Sequence, residues 1–148
     1  AANTKAEVTG EPASAIELAD GSVVTGKTSE LMGATSAMLL NALKKLAGLP
    51  DELRLISPSV IEPIQQLKIK HLGNHNPNLH IAEMLIALTI CAGTDENAAK
   101  VVAKLDELKG CEAHSSVILS SEDQRTLAKL GINLTCEPKY QTKKLFHN

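Results

Sequence analysis

The chain has 148 residues, 43% hydrophobic and 22% charged, a balance that suits one globular domain able to fold without a metal or disulfide staple. Tyr140 and Phe146 are its two aromatics and its net charge is −2, so it lacks both the stacking platforms and the positive surface of a nucleic-acid binder. Its longest apolar run, residues 84–93, is too short for about 30 Å of hydrocarbon, so no membrane partner is expected.

The opening, "AANTKAEVTGEPASA", is small and polar and carries no initiator Met. It reads as a linker over 1–14 in a fragment of a longer protein, ahead of one α/β domain over 15–138 and a basic tail over 139–148. "AIELADGSVVTG" predicts a β-hairpin about Ala19-Asp20-Gly21. An apolar helix over 31–47 follows, closed by Lys44-Lys45 and Gly48. "ELRLISP" at 52–58 reads as a strand ended by proline, and Ser57 or Ser59 is placed to cap the next helix.

After the turn "GNHNPNL", "HIAEMLIALTICAG" predicts a helix stopped at Gly93. Thr94 is placed to cap another helix, which carries Asp95 and Glu96 in its first turn and runs to Lys109. A strand over 113–120, a helix opened by a Ser121–Gln124 capping box and a last strand over 132–138 complete the order. Strands alternating with helices predict an α/β fold: a three-layer αβα sandwich with a mostly parallel five-stranded sheet, opened by the hairpin.

Residues 21–28, "GSVVTGKT", match the phosphate-binding P-loop pattern letter for letter. The context disagrees. The first glycine follows Asp20 in a hairpin turn, and Ser-Val-Val-Thr prefers extended geometry to an anion nest. Gly33 also delays the helix that should follow at once. The match reads as an accident, although Lys27, Thr28 and Ser29 lie where a strand hands over to a helix, the usual edge for ligands in such sheets. Ser57, Ser120, Ser121 and Glu137 should gather at that edge with Lys27, either as helix caps or as part of an anion site.

His80 and Glu83 stand three residues apart, with His75 in the preceding turn. They read either as an acid–base or metal-ligating set or as a hydrogen-bonded pair in a helix's first turn. Asn74, His75, Asn76 and Asn78 form a polar loop whose side chains satisfy their own backbone or a ligand. Cys111-x-x-His114 with Cys136 resembles part of a zinc site, but parallel strands should set His114 and Cys136 at opposite ends. Three cysteines at wide spacings suit a reducing, cytoplasmic compartment rather than a secreted framework.

The hairpin, the apolar helix and a Ser-Pro strand end before a helix resemble the cytidine-deaminase-like fold. In that family the helix after the hairpin carries His or Cys followed by Ala-Glu, and an "SPC" helix supplies two more zinc ligands. On those landmarks Thr35 of "GATSAM" takes the ligand position and Ala37 the glutamate position, while "ISPSVIEPI" contains no cysteine. The resemblance implies the order of elements without the zinc site or deamination.

From Glu17 to His147, "ELADGSVVTGKTSELMGATSAMLLNALKKLAG", "LISPSVIEPIQQLK", "LGNHNPNLHIAEMLIAL", "GCEAHSSVILS" and "LGINLTCEPKYQTKKLF" resemble the C-terminal part of a bacterial family. It is catalogued as domain of unknown function eighteen-forty-six. The resemblance implies a cytoplasmic setting and a larger N-terminal domain as partner, with no reaction assigned.

The expected function is a domain offering a small anionic or nucleotide-like ligand the sheet's carboxyl edge, through Lys27, Thr28, Ser29, Ser57 and His75, with no cofactor. The alternatives are a structural module that packs on its neighbour or self-associates, and a metal-dependent enzyme using His75, His80 and Glu83.

Overall fold

The computed structural model describes residues 13–29, 32–50, 52–73 and 76–136. β1 (Ala13–Glu17) and β2 (Val23–Lys27) pair antiparallel, with Ala13 opposite Lys27 and Glu17 opposite Val23. The turn between them is closed by Asp20, whose carboxylate accepts from the Ser22 amide at 2.9 Å and the Ser22 hydroxyl at 2.5 Å. Gly21 sits at φ 85, a conformation that L side chains rarely adopt.

α1 (Ala34–Leu46) lies directly on this hairpin. A Cβ at Gly26 would fall on the Met38 amide and within 2.6 Å of the Ala34 carbonyl oxygen, so only glycine lets strand and helix close. Both glycines of the P-loop match are thereby explained by packing and turn geometry. The residues that would wrap a phosphate are laddered to β1 instead.

The segment after α1 departs from the expected strand: residues 53–57 are irregular, and the chain passes directly into α2 (Pro58–Gln66), capped by Ser57. α2 continues as a π-helical turn, Leu67–His71, closed by the Leu72 amide donating to the Leu67 carbonyl at 3.0 Å. α3 (Ile81–Ala92) follows. Asp95, not Thr94, caps α4 (Glu96–Val102), accepting from the Asn97 amide at 2.9 Å. α4 is shorter than expected, and a 3₁₀ turn, Leu105–Leu108, takes over. β3 (Glu112–Ser115), α5 (Ser121–Lys129) and β4 (Asn133–Cys136) complete the described chain. The expected 139–148 tail lies outside the described residues, and Ala13 and Ser14, expected in the 1–14 linker, already belong to β1.

The sheet order is β2-β1-β3-β4. This corrects the expected five-stranded, mostly parallel sheet: among the described residues there are four strands, and only β3 and β4 pair in parallel. β2, β3 and β4 share a direction, but β1 runs against them and lies between β2 and β3. The expected third layer is also absent among the described residues. Ile16, Val24 and Ala113 join Met38, Leu39, Leu43 and Leu127 in one core, with Leu134 and Cys136 packed against it. The alternating positions His114 and Thr135 turn to the other face, where the two side chains bond each other at 2.7 Å. All helices with substantial contact to the sheet, α1 and α5, lie on the core face.

Candidate functional site

Three helices begin at the carboxyl edge of the sheet. α1 starts after Gly33, which has no side chain to cap it, so its first turn has no side-chain cap among the described residues. The Gly33 amide donates to the Leu79 carbonyl at 3.2 Å, and the Ser36 hydroxyl donates to the same oxygen at 3.0 Å. Those bonds dock the start of α1 against the segment that leads into α3. Thr35 is buried, its hydroxyl 2.9 Å from that of Ser14 on β1.

α3 is capped at His80, whose amide donates to the Glu83 carboxylate at 2.9 Å. α5 begins after Ser120, whose hydroxyl accepts from the Asp123 amide at 3.2 Å. The expected Ser121–Gln124 box is therefore shifted by one residue, and Gln124 donates to the Leu119 carbonyl instead. Asp123 is only 5% exposed and reaches across to α3. One carboxylate oxygen accepts from the Ile81 amide at 3.1 Å, and the other lies 3.4 Å from His80 Nδ1. A buried carboxylate thus occupies the positive end of a neighbouring helix, the placement that dipole and amide both favour.

Between these starts lies a small cleft of about 10 Å³, lined by Gly33, Ala34, Thr35, Ser36, Asn76, Asn78, Leu79, His80 and Asp123. The Asp123 carboxylate raises the pKa of His80 above its usual value, against the opposing effect of burial. When the ring is protonated it offsets the charge of Asp123.

Glu83 serves a different purpose from the one its spacing suggested. The oxygen that accepts from the His80 amide also accepts from Lys68 Nζ at 2.8 Å. Lys68 comes from the π turn, is 2% exposed, and donates to the Asn78 carbonyl at 2.7 Å as well. Glu83 is thus committed to the backbone and to Lys68, while Asp123 faces the imidazole. A metal reading through His75, His80 and Glu83 would have to share the Glu83 carboxylate with Lys68; His75 lies outside the described residues.

The remaining sequence candidates are dispersed. Lys27 ends β2, exposed, and strand alternation turns it away from the face that Gly26 presents to α1. Thr28 is half-buried, and its hydroxyl has no hydrogen-bond partner among the described residues. Ser29 donates its amide to the Met32 carbonyl at 3.0 Å. Ser57 caps α2 and shares a 2.7 Å hydroxyl contact with Ser59. None of these four lines the cleft.

The expected separation of His114 from Cys136 is corrected. Thr135 and Cys136 pair with His114 and Ser115, so the two are near neighbours, and strand alternation rather than distance sets them on opposite faces. Burial pushes the Cys111 thiol pKa up, and its sulfur lies 3.8 Å from the Glu107 carbonyl oxygen. Among the described residues no three His, Cys, Asp or Glu side chains gather to hold a metal.

The family profile described as domain of unknown function DUF1846, C-terminal, matches residues 1–146. The chain belongs to this family. It is 54% identical over 146 residues to a UPF0371 protein of Corynebacterium urealyticum, covering 99% of this chain and 29% of that one. UPF0371 proteins of Streptococcus thermophilus and Streptococcus pyogenes are 54% and 53% identical over the same length, each covered to 30%. The chain therefore spans about 30% of the length of the curated relatives it matches. The DUF1846 family is one of unknown function, as the sequence resemblance implied. No helix among the described residues is long and apolar enough to cross a membrane.

Sequence reading missed Asp123 and Lys68 in this DUF1846 domain. Ser120-x-x-Asp123 was the available signal, obscured because Ser121 offers the same pattern one residue later. No comparable signal marked Lys68, since a lysine on an exposed-looking helix gives no sign of burial.

Proposed function

We propose that this domain binds a small anionic ligand at the carboxyl edge of its sheet, inside a larger bacterial cytosolic protein. The supporting observation is the meeting of three helix N-termini on one polar cleft, with the first turn of α1 lacking a side-chain cap. Each helix start contributes about half a positive charge and a fan of backbone N–H donors. Asp123 already accepts from the first amide of α3 and Ser120 caps α5, which leaves α1 as the helix start without a side-chain cap among the described residues.

The location supports the same reading. Open α/β sheets place ligands beyond the carboxyl ends of their strands. Thr35, which lines the cleft, also falls where a deaminase-like descent would set its first zinc ligand; this chain would retain the position and not the metal chemistry. Chemistry on the ligand would draw further groups from the rest of the longer protein. Widely spaced free thiols at Cys91, Cys111 and Cys136 support the cytosolic setting.

The test is an amide NMR titration with phosphate, pyrophosphate and nucleoside mono- and diphosphates. Shifts should concentrate at Ala34, Thr35, Ser36 and His80. His80→Gln should weaken binding roughly tenfold below pH 6.5, where the imidazole would be charged. Lys27→Ala should change binding of phosphate itself less than about twofold. Absence of any localised shift with every one of these anions at millimolar concentration would end the proposal.

A further inference from the structure

α3 is apolar on almost every side, the composition of a helix enclosed by protein rather than of one lying on a surface. Yet Ile86 and Ile90, one helical turn apart, are 60% and 59% exposed. They continue a stripe that begins at Glu83. The Lys68–Glu83 ion pair fastens the π turn to the head of that stripe. From the same turn Leu67 and Leu72, 48% and 62% exposed, add further apolar surface.

We infer that this α3 and π-turn face is the seat of the N-terminal portion of the longer family proteins. The match covers 29–30% of the relatives' length under a profile described as C-terminal, so more than two thirds of each relative lies outside it and has to pack somewhere. Exposed apolar side chains at helical spacing are what such packing consumes. Exposed Lys70 and His71 rim the face. An occupant that carries acidic residues complements this basic turn.

The experiment compares the chain by itself with a chimera in which residues 1–146 replace the matching segment of the Streptococcus thermophilus relative. Hydrogen exchange at residues 82–92 should slow at least ~10-fold in the chimera. Ile86→Glu with Ile90→Glu should abolish that gain, while the same pair in the separate chain shifts its melting by less than about 2 °C. Ile86→Ser with Ile90→Ser repeats the test should the glutamates unfold the chain. Equal exchange rates in the two contexts would overturn the inference. So would a dimer of the separate chain that the glutamate pair makes monomeric, since the occupant would then be a second copy.

Discussion

Lys68 carries the sharpest stability prediction, because its ammonium is removed from water and has two identified acceptors. Replacing it with Met keeps most of the buried stem and removes the charge. The Glu83 carboxylate and the Asn78 carbonyl then lose bonds of 2.8 Å and 2.7 Å. Breaking a fully buried pair costs about 3–5 kcal/mol. Glu83 is 30% exposed and regains part of its hydration, which lowers the expected loss to about 2–3 kcal/mol. At roughly 2–4 °C per kcal/mol for a chain of this size, the melting temperature should fall by about 4–12 °C. Circular dichroism at pH 7 measures it. Glu83→Gln keeps the acceptor for the His80 amide, so a double-mutant cycle with Lys68→Met isolates the ion pair and should show coupling of about 1–2 kcal/mol. A Lys68→Met protein that melts within about 1 °C of wild type, or above it, would show that the pair returns no more than its desolvation costs.

The pH dependence follows from His80. Its pKa is raised in the folded protein above 6.5 by Asp123, so the folded state holds that proton more tightly than the unfolded one. The resulting stabilisation is fully present below about pH 6.5 and is lost as pH rises through the higher folded value. His80→Gln should therefore cost most near pH 5.5 and least near pH 8; a difference in melting temperature that is flat across that range contradicts the His80–Asp123 contact. At Gly26, alanine would press on backbone rather than on movable side chains, and about 2–3 kcal/mol of destabilisation is expected. Urea unfolding measures it, and a Gly26→Ala protein as stable as wild type would contradict the hairpin–helix contact.

The sequence made local elements legible where two signals agreed. The hairpin had Asp20-Gly21 between β-formers, and α1 had a continuous apolar pattern with Lys44, Lys45 and Gly48 at its end; both are present, although α1 begins at Ala34. The segment 53–57 misled because Leu53, Leu55 and Ile56 carry the apolar content of a strand. Leu55 and Ile56 bury themselves beside α2 without entering the sheet. Propensity records which residues seek burial, and it says little about whether a ladder partner awaits them. Sheet order was illegible for a related reason: β1 pairs with β3 across about a hundred residues, and nothing local specifies that neighbour.

The candidate site divides along the same line. His80 stood out in the sequence by its spacing to Glu83, whereas Lys27, Thr28, Ser29 and Ser57, expected together at the carboxyl edge, do not line the cleft. Asp123 and Lys68 enter through contacts 43 and 15 residues distant in sequence, which no spacing rule reaches.

One oxygen of Glu83 joins two parts of the chain that lie 15 residues apart. It grips the ammonium from the π turn and the amide of the residue whose ring borders the cleft. Lys68 also holds the Asn78 carbonyl, so the turn that carries Leu67 is tied to the chain on both sides of His80. The apolar flank and the polar mouth therefore share one buried ammonium as their common anchor.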